Sequence, residues 1–144
     1  MRSVSNWFLR FAGVSGLING LGFGGFAIPA MWSIARGHGV LYTGGNPTYG
    51  YGPLERHGVP TTVPLLAAFL AACAIQVVGG VLLFWPRTSG IAVSAVGMLA
   101  CAPFWWGFDL PWAWRNAAIV TTFLVLGWTL GQAVSTKDTP RDIS

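Results

Sequence analysis

Four long apolar stretches separated by short polar segments constrain this chain more than any other feature. About 20 consecutive apolar residues, at 1.5 Å rise each, cross about 30 Å of hydrocarbon. The first stretch runs from about Phe11 to Ala35, between Arg10 and Arg36, with no formal charge inside it. The second runs from about Val63 to Trp85 and the third from Thr88 to Phe108, with only Pro86 and Arg87 between them, which predicts a tight antiparallel hairpin. The fourth covers about Ala117 to Val134 and extends back to about 112 if Asp109 and Pro111 signal a helix start. The expected fold class is all-α, an integral membrane four-helix bundle forming a single domain. Residues 36–62 form one long outer loop and residues 135–144 a polar C-terminal tail.

Composition agrees with this class. Hydrophobic residues make up 53% of the chain and charged residues 8%, against about 25% charged in an average soluble domain. A cleaved signal peptide is the competing reading of the first stretch, but a signal core is only about 7 to 15 residues long. The 25 uncharged residues from Phe11 to Ala35 favour a retained helix.

The net charge of +4 does not point to nucleic acid, because the eight basic residues stand singly between apolar runs with no basic stripe. They read instead as topology determinants. With four spans, Arg2, Arg10, Arg87, Lys137 and Arg141 share one side with both termini, and Arg36, Arg56 and Arg115 lie on the other. The positive-inside rule then puts both termini in the cytoplasm and the long loop outside. Seven arginines to one lysine, beside abundant Ala and Gly, suggest a bacterial genome of high GC content, and the expected location is the bacterial plasma membrane.

In lipid there is no hydrophobic force between helices, so close backbone contact and interhelical hydrogen bonds hold them together. Ala12, Gly16, Gly20 and Gly24 form a small-residue stripe on the first span, and Ala68, Ala72, Gln76 and Gly80 form one on the second. These faces are expected to pack, within one chain or between two copies. Asn19 and Gln76 come to similar depths, which predicts a hydrogen bond between them, direct or through water. An unpaired amide in hydrocarbon costs several kcal/mol. Helix-to-helix packing is favoured over ligand binding as their role. Pro29 and Pro103, in the outer halves of spans one and three, are expected to kink or splay the bundle and could admit a ligand between them.

The outer face is where a site is expected. Phe104, Trp105, Trp106, Phe108, Trp112 and Trp114 crowd the outer ends of spans three and four, more simply as an interfacial aromatic belt than as a hydrophobic-ligand pocket. The loop run Gly44–Gly58 has strong turn chemistry and a spacing too irregular for a strand or helix. Tyr42, Tyr49 and Tyr51 favour an ordered cap over a mobile loop. Glu55, Arg56, His57, Asp109 and Arg115 are the only concentrated ionisable groups, and Glu55 or Asp109 is expected to pair with Arg115 or Arg56. They are chemically sufficient for hydrolysis or proton transfer, but the pattern marks no catalytic residue. Tyr49, Tyr51, Glu55, Arg56, His57, Trp105, Trp106, Asp109 and Arg115 are therefore candidates for binding a ligand or partner.

No cofactor or metal is expected. Cys73 and Cys101 are separate buried thiols without a CxxC, the two histidines make no i, i+4 pair, and there is no phosphate-binding glycine motif. Small multidrug transporters, also four-helix proteins, couple to protons through a membrane-embedded Glu in the first span, where this chain has Asn19.

The runs Asn46-Pro47-Thr48-Tyr49-Gly50-Tyr51-Gly52-Pro53-Leu54-Glu55 and Phe104-Trp105-Trp106-Gly107-Phe108-Asp109-Leu110-Pro111 resemble those of uncharacterised small four-pass bacterial membrane proteins. The arrangement is similar to that of DoxX-like proteins. The resemblance implies four helices and supplies no reaction or catalytic residue. The leading expectation is an accessory or interaction subunit that meets lipid, a membrane-protein partner or a second copy. The alternatives are a small carrier or lipid-binding protein with a cavity reaching Asn19 or Gln76, and an enzyme in which Glu55, His57 and Asp109 converge.

Overall fold

The computed structural model describes residues 2–85, 88–110 and 112–135; the side chains of residues 2, 3, 134 and 135 are outside this description. The expected Pro86–Arg87 turn, Pro111, and Lys137 and Arg141 of the polar tail also lie outside the described residues. Four helices are long and apolar enough to cross a membrane. They are α1 (Arg2–Ala35), α3 (Val63–Leu82), α4 (Thr88–Gly107) and α5 (Ala113–Ser135). The chain is a multi-pass membrane protein built from an up-and-down set of helices.

Helix limits follow local chemistry. Thr62 caps α3 by accepting the Leu65 N–H, with Pro64 in the first turn where a missing donor costs nothing. Asp109 does not start the last helix. It takes a left-handed conformation (φ 54) and ends α4, with its N–H on the Trp106 carbonyl and the Leu110 N–H on that of Trp105. The first helix begins at Arg2, nine residues before the first apolar stretch, because the 2–10 segment contains no helix breaker.

Glycines set the packing. A Cβ on Gly13 would lie 2.7 Å from the Gly80 carbonyl, and one on Gly20 would lie 2.9 Å from the Cys73 carbonyl. The α1 stripe therefore does meet α3. The α3 side of the seam is Cys73, the Gln76 carbonyl, Val77 and Gly80, while Ala68 is exposed and Ala72 is buried outside these contacts. A rotation of 100° per residue separates these faces. The second tight seam joins α3 to α4, where Cβ atoms on Gly79 and Gly97 would lie 2.6 Å and 2.7 Å from Cα of Ser94 and Gln76. On the other flank of α1, Gly127 of α5 packs under Leu9, and the Ser5 hydroxyl donates to the Gly127 carbonyl at 2.6 Å. The helices thus run α5–α1–α3–α4 around the bundle, and α4 and α5 touch only sparsely.

The long loop is folded, and its structure differs from the irregular coil expected. Leu41–Thr43 (β1) and Asn46–Thr48 (β2) form an antiparallel hairpin, and Pro53–Arg56 (α2) is a single helical turn. Gly44 and Gly45, both at positive φ, make the two-residue turn whose twist suits a hairpin. The Gly-Gly pair between Leu-Tyr-Thr and Asn-Pro-Thr carries that signal in the sequence.

Candidate functional site

The loop closes over one end of the bundle as a cap pinned by Tyr49. Its ring is buried against Phe69 of α3 and Phe108, the residue after α4, and its hydroxyl donates to the Phe23 carbonyl of α1. Burial pushes its phenol well above the ordinary tyrosine range. Gly52 lies directly on the α4 terminus, where a Cβ would meet the Gly107 carbonyl at 2.3 Å. One side chain and one glycine thus tie the cap to three of the four long helices.

The ionisable residues are engaged separately. The Glu55 carboxylate accepts the N–H of Tyr51 at 2.5 Å and that of Thr61 at 3.2 Å, stapling the cap. Partial burial raises its pKa, but the hydrogen bonds from Thr61 and the Tyr51 amide outweigh this and hold it below the usual carboxylate range. Arg56 pairs with Asp109 at 3.7 Å, both largely exposed. His57 stacks on Trp106, with ring centroids 5.9 Å apart. Arg115 is not in an ion pair with Glu55 or Asp109; its guanidinium lies 5.0 Å over the Trp112 ring. Tyr51 is exposed, as is Tyr42. Tyr49, Tyr51 and Asp109 all hold left-handed φ, unusual for side-chain-bearing residues, and the sequence carries no signal for it.

The aromatic cluster divides in two. Trp106, Trp112 and Trp114 are exposed and fit a belt, but Trp105 and Phe108 belong to the core. Trp105 is 1% exposed, packs edge-on against Trp114, and its indole N–H has no partner among the described residues.

Two further features lie deeper. The first is an apolar groove of about 320 Å³ along the sparse α4–α5 seam. Ile91, Ala95 and Met98 face Leu124, Val125 and Trp128 across it, with the Thr121 hydroxyl as its polar member. Sequence reasoning looked instead for an opening between Pro29 and Pro103. Both prolines sit inside continuous helices, and the groove at Pro29 runs along Ile28, Met31, Trp32 and Val63 without reaching Pro103.

The second is a set of buried polar side chains at mid-bundle. Asn19 and Gln76 are both 1% exposed but are not hydrogen-bonded to each other. Asn19 Oδ1 instead accepts from Asn116 Nδ2 of α5 at 3.5 Å, because Asn19 sits off the glycine stripe and turns away from α3. Asn19 Nδ2, both ends of the Gln76 amide and the Ser94 hydroxyl have no partner among the described residues. Asn116 and Ser94 escaped the sequence reading, since a short polar residue in a span is usually self-satisfied by the helix. Cys73 and Cys101, remote in sequence, are free thiols buried in the same core cluster. Among the described residues no three metal-ligating side chains gather.

No family model, curated protein or solved structure matches this chain.

Proposed function

We propose that this protein binds a lipid-soluble, chain-like molecule from within the bilayer, as a small carrier or lipid-binding membrane protein. The observation that carries the reading is the α4–α5 groove. Two antiparallel neighbours that would complete the bundle leave an apolar slot between them, of a size within the range of about 300–1,000 Å³ found for small-molecule sites. The cap supports the reading by closing the loop-side end of the bundle, leaving lateral access from the membrane.

Catalysis at the cap is disfavoured, since Glu55 is engaged by backbone amides, His57 by Trp106 and Asp109 by Arg56. An accessory or interaction subunit is the second reading. The exposed Tyr51, Trp106 and Trp112 on the capped end favour it, as a surface for a membrane-protein partner or a second copy. By the positive-inside rule the cap faces outward from a bacterial plasma membrane, with both termini cytoplasmic.

Native mass spectrometry after stringent detergent exchange tests the groove. The wild-type protein is expected to retain one apolar ligand per chain, and Ala95→Phe, which fills the slot, is expected to lose it. Retention unchanged by Ala95→Phe would overturn the reading.

A further inference from the structure

The unpartnered polar atoms of Asn19, Gln76 and Ser94 are buried inside the bundle, and no hydrogen bond among the described residues satisfies them. Asn19, Gln76 and Ser94 are each at least 99% buried, yet four of their polar atoms lack partners among the described residues. In hydrocarbon each such atom costs several kcal/mol. Ser94 and Gln76 lie on or against α4, and Asn19 is bonded to Asn116 of α5, so all three are joined to the two helices that wall the groove. Ser94 lies three residues after Ile91 and four before Met98 on α4, so it shares a helix flank with two groove residues. Gln76 lies against Gly97, the neighbour of Met98. Met98 lines the groove and also packs on both core clusters, so its unbranched side chain stands between the slot and the bundle interior.

We propose that Asn19, Gln76 and Ser94 form the polar half of a binding site whose apolar half is the α4–α5 groove, and that its ligand is an uncharged amphiphile with a hydroxyl-type head. This rests on the groove reading above. The head must both donate and accept, because Gln76 offers an unpaired N–H and an unpaired carbonyl, Asn19 an unpaired N–H and Ser94 a hydroxyl. It must be uncharged, because no Asp, Glu, Lys, Arg or His is among these residues or those lining the groove, and a charge there would have no counter-ion. Rotation of Met98 admits the head while the chain stays in the slot.

The test uses the full-length protein in nanodiscs and three photoreactive probes of equal chain length, each with a mid-chain diazirine: a primary alcohol, the matching hydrocarbon and the matching carboxylate. Crosslinked peptides are mapped by mass spectrometry. The alcohol is expected to label α4 and α5 groove peptides at about tenfold lower concentration than the hydrocarbon, the value of one or two hydrogen bonds. The carboxylate is expected to show no such advantage. Gln76→Met, which keeps volume, and Ser94→Ala are each expected to erase the alcohol's advantage and leave hydrocarbon labelling unchanged. Equal labelling by alcohol and hydrocarbon in the wild-type protein overturns the proposal and leaves the groove standing, with water satisfying the amides. A carboxylate as effective as the alcohol overturns the uncharged head. Absence of groove labelling by every probe overturns the groove reading itself.

Discussion

The α3–α4 seam and the α4–α5 seam share a helix and differ in almost everything else. Along the first, Gly79 and Gly97 let the backbones meet, with no room for even a methyl group. Along the second, Met98, Leu99, Leu124 and Trp128 face one another and the helices stand apart. In a bilayer, where burial against a neighbour and burial against lipid are nearly equivalent, a seam closes only if small residues permit backbone contact or polar groups bond across it. The first seam has the glycines and the second has neither. Rigidity and a slot therefore come from the same helix, turned by different faces.

The largest expected effect lies in the tight seam. Gly97→Leu is expected to cost about 3 kcal/mol or more, because its Cβ alone would sit 2.7 Å from Gln76 Cα. Gly25→Leu, at an equally helical site with nothing within 4 Å, is expected to stay within about 0.5 kcal/mol. Unfolding titrations in mixed micelles compare the two; similar losses would break the distinction between seams.

The cap fixes the loop-side end of α4 through Gly52. Gly52→Val is expected to undock it at a cost of about 2 kcal/mol, since the Gly107 carbonyl cannot move without disturbing the α4 terminus. Amide exchange across 49–61 reads the loss, and exchange confined to residues 51–53 would show that the cap is not one unit. Tyr49→Phe removes only the bond to the Phe23 carbonyl and is expected to cost about 1 kcal/mol by the same measurement.

Glu55 makes the cap sensitive to acid. Its folded pKa lies below its ordinary value of 4.5, so the stabilisation is complete above that value and is lost as pH falls through the lowered folded pKa. Amide protection at Tyr51 and Thr61 is expected to fall below about pH 4.5 in the wild-type protein and to be flat across that range in Glu55→Gln. The smallest effect is expected from Arg56→Ala. An ion pair at 3.7 Å between side chains 66% and 74% exposed contributes about 0.5 kcal/mol or less. A larger loss on thermal unfolding would mean that the pair anchors α2 to α4.

Much of the fold was legible in the residues. The four apolar spans were expected from hydropathy, whereas the loop hairpin was not, although Gly-Gly between two short runs is a local turn signal. The candidate site was less legible. Asn19 and Gln76 matched in depth, but depth is one coordinate and a hydrogen bond needs azimuth as well; Asn19 turned to Asn116 instead. Trp105 and Trp106 are neighbours in the chain with opposite fates, one inside and one exposed, because each residue step rotates the side chain by 100°.

The sequence by itself determined that four helices form, that they are apolar enough to cross a membrane, and where each begins and ends to within a few residues, apart from the start of the first. Hydropathy and capping are properties of short stretches of chain, so no distant residue is needed to express them. Only the tertiary structure decided which glycine meets which backbone, that Tyr49 pins the cap, that Gln76 and Ser94 lack partners, and that the open seam lies between α4 and α5. Those outcomes depend on the rotation of each helix about its own axis, which is set by all of its neighbours at once.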